Sequence, residues 1–184
     1  MRTSAIRTLK PNVTQEEAIR VFRSGGFSAA YWKIRNGPLQ RIAEAYVPFW
    51  VYQVRYEVVG GLNTRIFALD AVHGSLDLFE FPHTPREDEL LTVETRNRLL
   101  PALQPDAAEE LLRLKVLRVL FQQGFFKMRA LTVEIARVPV EVHLPYWLTF
   151  YGANGAAKCR VMDAVRRRIE GAKASSFFEA WLTA

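Results

Sequence analysis

The sequence predicts an α+β protein built from two tandem units related by internal duplication. Each unit is a helix followed by an antiparallel meander, and the two pack with approximate twofold symmetry. Three observations predict this. First, Val47-Pro48-Phe49-Trp50-Val51 returns as Leu144-Pro145-Tyr146-Trp147-Leu148, Leu69-Asp70-Ala71-Val72 returns as Met162-Asp163-Ala164-Val165, and Arg20-Val21 with Gly26-Phe27 returns as Arg118-Val119 with Gly124-Phe125. The offsets are 97, 93 and 98, so the second unit carries one loop that is four residues shorter. Second, a helix start signal precedes each unit. Third, runs of strict apolar–polar alternation follow each helix. The expected division is 1–83 for the first repeat, 84–105 for a connecting helix and linker, and 106–184 for the second repeat with a C-terminal helix.

In the first unit, Thr14 and Glu17 form a capping box, so a helix should start near Gln15. Ala18, Ile19 and Phe22 give it an apolar face, and Gly25-Gly26 should end it. Phe27 should lead into extended chain, with a strand over Tyr31 to Ile34, a turn at Asn36-Gly37-Pro38 and a further strand over Leu39 to Tyr46. After Pro48, Trp50, Tyr52, Val54, Tyr56 and Val58 share one face while Gln53, Arg55 and Glu57 share the other. A turn at Gly60-Gly61 or Asn63 separates this run from strands over Thr64 to Leu69 and Ser75 to Phe81.

Thr84-Pro85-Arg86-Glu87 reads as a second capping box with proline at the first helical position, starting a helix that Pro101 should stop. Asp106 and Glu109 open the next helix, lined by Leu112, Val116, Leu117 and Leu120 and closed at Gly124. Lys127 to Ile135 should be extended. Val138, Val140, Val142 and Leu144 alternate with Pro139, Glu141 and His143, and Tyr146 to Tyr151 follows. A turn over Gly152 to Gly155 precedes Ala157, Cys159 and Val161, which alternate with Lys158, Arg160 and Met162. Ser175 or Ser176 should cap a short final helix ending near Trp181.

Composition is that of an ordinary globular protein, with 49% hydrophobic and 24% charged residues. The 25 basic and 19 acidic residues give a net charge of +6, nearly all of it in the second half. Arg166, Arg167 and Arg168, with Lys158 and Arg160, are the candidate contacts for nucleic acid or another anionic surface. Cys159 stands alone, which excludes an intrachain disulfide. No apolar leader core and no long apolar run is visible, so the expected location is the cytoplasm. Phosphate loop, dinucleotide fingerprint and nucleophile elbow are missing, and no cofactor or metal is expected.

The repeated residues have packing roles available to them. Trp50 and Trp147 can each anchor a small core, and Pro48 and Pro145 fit a bulge or the start of a strand. Asp70 and Asp163 each end an apolar strand, where an aspartate can accept the amides of the following turn. Their functional alternative is a symmetric carboxylate pair acting as acid and base or binding a cation. His73 and His83 can be joined with Asp70 in a metal site, although the spacing matches no ligand motif, and His143 is expected on an exposed or interfacial strand face.

Leu69-Asp70-Ala71-Val72-His73-Gly74, with the helix start at Glu16-Glu17-Ala18, resembles PepSY-type and cystatin-like α+β modules over about 60 residues. In the second unit Arg166 and Arg167 replace the turn residues, and the next glycine is Gly171. The resemblance implies a binding or inhibitory module without catalysis, working at or outside the membrane.

Packing residues are duplicated and reactive ones are not, which favours a non-enzymatic interaction or ligand-binding module. Its partner would be a protein, a peptide, a small ligand or a second copy of the chain. The alternatives are the anionic-surface binder and a small metal-assisted hydrolase or isomerase using Asp70 and His73.

Overall fold

Mixed α+β structure follows the sequence expectations in most places and departs from them in several. The computed structural model describes residues 3–24, 26–58, 61–122, 132–152 and 158–183. In chain order the elements are β1 (Ser4–Leu9), α1 (Gln15–Ser24), α2 (Gly26–Asn36), β2 (Leu39–Val58), β3 (Gly61–Asp70), β4 (Phe79–Phe81), a 3-10 turn (Glu87–Glu89), β5 (Leu90–Thr95), α3 (Pro105–Gln122), β6 (Val133–Tyr151), β7 (Lys158–Asp163), β8 (Arg168–Ile169) and α4 (Ala172–Thr183). Strand hydrogen bonding runs in the order β4-β3-β2-β6-β1-β5, with β7 on β6 and β8 on β7. The cap residues Gly25 and Gly124, the turn residue Gly60, the run 127–131, the turn residues 153–155 and Ala157 lie outside the described residues.

The chain divides into two compact units that interleave the sequence. One comprises 1–47, 91–99 and 143–184, the other 48–90 and 100–142. These limits do not follow the boundaries at 83/84 and 105/106, because the long strands β2 and β6 each contribute to both units.

In the unit holding 48–90 and 100–142, β2 and β3 form a hairpin in register from Phe49↔Asp70 to Val58↔Gly61, and β4 adds to β3. Helix α3 covers this hairpin. Proline occupies its first position, where the missing N–H costs nothing, and the Ala108 amide bonds Gln104 O at 2.9 Å. Ala108, Leu112, Val116 and Leu120 recur every four residues, all fully buried against Tyr52, Val54, Tyr56, Phe67 and Leu69. Each large apolar side chain so buried contributes about 1.5–3 kcal/mol. Leu117 packs at the margin of this cluster.

In the unit holding 1–47, 91–99 and 143–184, β6 and β7 form a second hairpin, from Tyr146↔Asp163 to Tyr151↔Lys158. Its cover is α1. The capping box is made as expected: Glu17 Oε2 accepts the Thr14 amide at 2.9 Å and Thr14 Oγ1 accepts the Glu17 amide at 3.2 Å. Ala18 and Phe22, one turn apart, pack with Val13 on Met162, flanked by Trp147, Ile42 and Ile169. Helix α4 packs on the same hairpin through Ala174, Phe177 and Phe178, with Phe178 5.3 Å from the Tyr146 ring. The helix pairing therefore differs from expectation. Each hairpin is covered by the helix that precedes the other one in the chain.

Four segments depart from the sequence expectations. Gly26 to Asn36 is helical, not a cap followed by a strand at Tyr31 to Ile34. Trp32 is half-buried while Tyr31 and Ile34 are exposed, and one-turn contacts from Arg35 to Tyr31 and from Asn36 to Trp32 brace the helix. Gly37, at φ +82°, then makes the predicted turn. The connecting helix expected from Thr84 to Pro101 is a 3-10 turn followed by β5, whose Leu-Leu-Thr-Val-Glu-Thr sequence prefers extended chain. Its partner is β1, a strand that the sequence reading omitted. Finally, the run from Ser75 to Phe81 is extended only over Phe79–Phe81. Helix α4 also begins three residues before Ser175, with Gly171 O accepting the Ala174 amide at 3.1 Å.

Candidate functional site

The Pro-Phe/Tyr-Trp and Asp-Ala-Val segments meet in both hairpins with the same local geometry. Phe49 opposes Asp70 and Trp50 opposes Leu69, as Tyr146 opposes Asp163 and Trp147 opposes Met162. Each proline stands one residue beyond the last paired position. Pro48 O accepts the Ala71 amide at 2.8 Å and Pro145 O accepts the Ala164 amide at 3.1 Å. Proline fits there because no ladder donor is required of it.

Both aspartates are fully buried and occupied by backbone amides. Asp70 Oδ1 accepts His73 N–H and Gly74 N–H at 2.9 Å each, and Oδ2 accepts Leu76 N–H at 2.7 Å. Asp163 Oδ1 accepts Val165 and Arg166 N–H at 2.8 Å each, and Oδ2 pairs with Arg166 Nε at 2.6 Å. The turn residues are shaped to match. Gly74 (φ +64°) and Arg167 (φ +58°) are both left-handed.

Of the predicted cationic candidates, Arg166, Arg167 and Arg168 lie beside carboxylates. Arg166 binds Asp163; burial opposes its charge, but the Asp163 carboxylate outweighs that and raises its pKa. Arg167 lies 3.5 Å from Glu17, and Arg168 lies 3.0 Å from Glu170. Arg160 is buried, with its guanidinium carbon 5.5 Å from the Phe22 ring centroid and 5.2 Å from that of Trp32. Lys158 is exposed. Cys159 is buried, its amide bonded to Glu179, and burial with the Glu179 charge pushes its thiol up to about 12.

The histidines do not converge. His73 stands in the Asp70 turn, and His83 pairs with Glu89 at 2.8 Å. His143 is only 2% exposed, which corrects the expectation of an exposed or interfacial position. Its ring Nδ1 lies 3.2 Å from Arg7 O, and Thr8 Oγ1 donates to its carbonyl, because β1 lies alongside in parallel register. Among the described residues no three His, Cys, Asp or Glu side chains come together as a metal site.

The two tryptophans part company here. The Trp147 indole N–H is donated to Val13 O at 2.9 Å. The Trp50 indole N–H has no hydrogen-bond partner among the described residues. Helix α3 covers the hairpin face at Tyr52, Val54 and Tyr56, and Trp50, the next position on that face, is left half-buried at its margin. A groove of about 620 Å³ opens there, lined by Pro48, Phe49 and Trp50 of β2, by Pro101, and by residues 137–141 of β6. Such a volume is ordinary for a small-ligand site. The Arg137 guanidinium lies 4.4 Å from the Trp50 ring centroid, within cation–π range. Burial raises the Tyr52 phenol, and the Arg137 charge works against that rise. Among the described residues neither Arg137 nor Glu141 has an ion-pair partner.

Arg137, Glu141 and Pro101 carry no motif. Only the cross-strand placement of Arg137 beside Trp50 marks the groove, and register is invisible in a single chain. Among the described residues no helix is long and apolar enough to cross a membrane. Comparison with protein-family models, with curated proteins and with solved structures gives no match, so the PepSY-type and cystatin-like resemblance rests on the Leu69–Gly74 segment and the α1 start alone.

Proposed function

We propose that the protein is a non-enzymatic binding module, built by duplication of a hairpin, that holds a ligand in the Trp50–Arg137 groove. The observation that carries this reading is the unequal fate of two equivalent tryptophans. Trp147 is tied to the backbone of the chain, while the Trp50 indole N–H has no hydrogen-bond partner among the described residues and its ring is half-buried beneath Arg137. The recurrence of the same hairpin register and the same aspartate turn supports the duplication.

The competing readings draw less support. A hydrolase using Asp70 needs a free carboxylate oxygen, and both oxygens of Asp70 accept buried or half-buried amides. An anionic-surface binder needs uncompensated cations, and each arginine from 166 to 168 has a carboxylate within 3.5 Å.

Calorimetric titration with naphthalene-2-methanol, a neutral aromatic probe, tests the groove. Wild type and Trp147→Ala should bind it saturably, and Trp50→Ala should lose it while keeping the circular dichroism of the fold. Equal loss in both variants, or no binding to wild type, overturns the reading.

A further inference from the structure

Two side chains of opposite charge, Arg137 and Glu141, line the groove beside apolar ones. Arg137, Pro139 and Glu141 alternate along β6 with the half-buried Val138 and Val140, so the three share one face and all are exposed. Four strand residues at about 3.3 Å each set Arg137 and Glu141 about 13 Å apart along the strand. That exceeds the Debye length of about 8 Å at physiological salt, so neither charge cancels the other at its own end. Pro139 lies between them on the strand, Trp50 sits under Arg137, and Pro48, Phe49 and Pro101 line the same groove. An aromatic wall such as Trp50 suits an extended, proline-containing chain of little conformational entropy.

We infer that the occupant is the carboxyl-terminal segment of an extended apolar peptide, about four residues long when both its termini are free. Its terminal carboxylate accepts from the Arg137 guanidinium, and the Trp50 N–H supplies a further donor within the same groove. An amino-terminal ammonium, where present, lies toward Glu141. This deepens the binding-module reading and rests on it. Stacked on Trp50, Arg137 presents its planar fork to a carboxylate with part of its freedom already lost.

The test titrates a leucine–proline tetrapeptide in three forms: free, carboxyl-amidated and amino-acetylated. Wild type should bind the free form at least 10-fold more tightly than the amide, as expected for loss of a charge-assisted hydrogen bond. Arg137→Gln should bind both forms equally, and acetylation should weaken binding to wild type but not to Glu141→Gln. Equal affinity of wild type for the free and amidated forms overturns the inference. So does an unchanged preference in Arg137→Gln. If no peptide binds while naphthalene-2-methanol still binds through Trp50, the peptide inference fails and the groove reading survives. If neither binds, both fail.

Discussion

Replacing Asp70 separates a structural carboxylate from a chemical one. Three backbone amides point at its oxygens, and the bonds to Gly74 and Leu76 are buried. Asp70→Ala leaves those donors without an acceptor, at about 1–3 kcal/mol for each buried one, and loses a bond to a charged group at His73 besides. The expected destabilisation is about 3–5 kcal/mol, a large fraction of the roughly 5–15 kcal/mol available to a domain. Asp70→Asn keeps one oxygen, but its amide group must face one of the N–H groups. It should cost less, about 1–3 kcal/mol. Urea denaturation followed by circular dichroism measures both. Losses below about 1 kcal/mol in both variants would refute the reasoning and return Asp70 to the list of reactive groups.

Other outcomes follow from the same geometry. Gly74→Ala should cost about 1–3 kcal/mol by urea denaturation, since φ is +64° and an added Cβ would sit 2.9 Å from Leu111 Cδ1. Arg167→Gln and Arg168→Gln, with half or more of each side chain exposed, should change stability by less than about 0.5 kcal/mol. Arg166→Gln should cost about 1–3 kcal/mol in the same assay, because it leaves the buried Asp163 short of its cation. Cys159 should resist thiol reagents at pH 8 in the native state. Its folded pKa lies above the ordinary 9, so the unfolded chain loses the thiol proton first. The stability it contributes is complete below pH 9 and declines toward pH 12. Cys159→Ala should remove that decline, about 1.4 kcal/mol per pH unit at most, from denaturation curves.

Local signals in the sequence carried the elements whose stability is local. The Thr14–Glu17 box, the helix opened near Asp106 and the period-two run after Pro48 all correspond to structure, because each is fixed by contacts within a few residues. The Asp-Ala-Val turns were legible for the same reason. Strand β5 was not. Its partner β1 is an isolated short strand with no hairpin to announce it, so Thr84–Glu87 looked like the start of a helix. Tyr31 to Ile34 has strand-forming residues, yet Trp32 is half-buried while Ile34, two positions on, is exposed, which breaks the alternation a half-buried strand requires. The covering of each hairpin by the other half's helix is set by long-range packing, which repeated residues cannot specify. The groove was half legible. Trp50 stood out as an aromatic anchor, whereas Arg137 and Glu141 acquire meaning only from register.

If Trp50 faces a ligand as proposed, its indole responds to that ligand while the indole of Trp147 does not. Labelling the tryptophan indoles with 15N gives each side chain its own proton–nitrogen resonance, assigned with Trp50→Phe and Trp147→Phe. On titration with naphthalene-2-methanol the Trp50 signal should move saturably while the Trp147 signal, held by Val13 O, stays in place. A titration that moves the Trp147 signal and leaves Trp50 still would contradict the account.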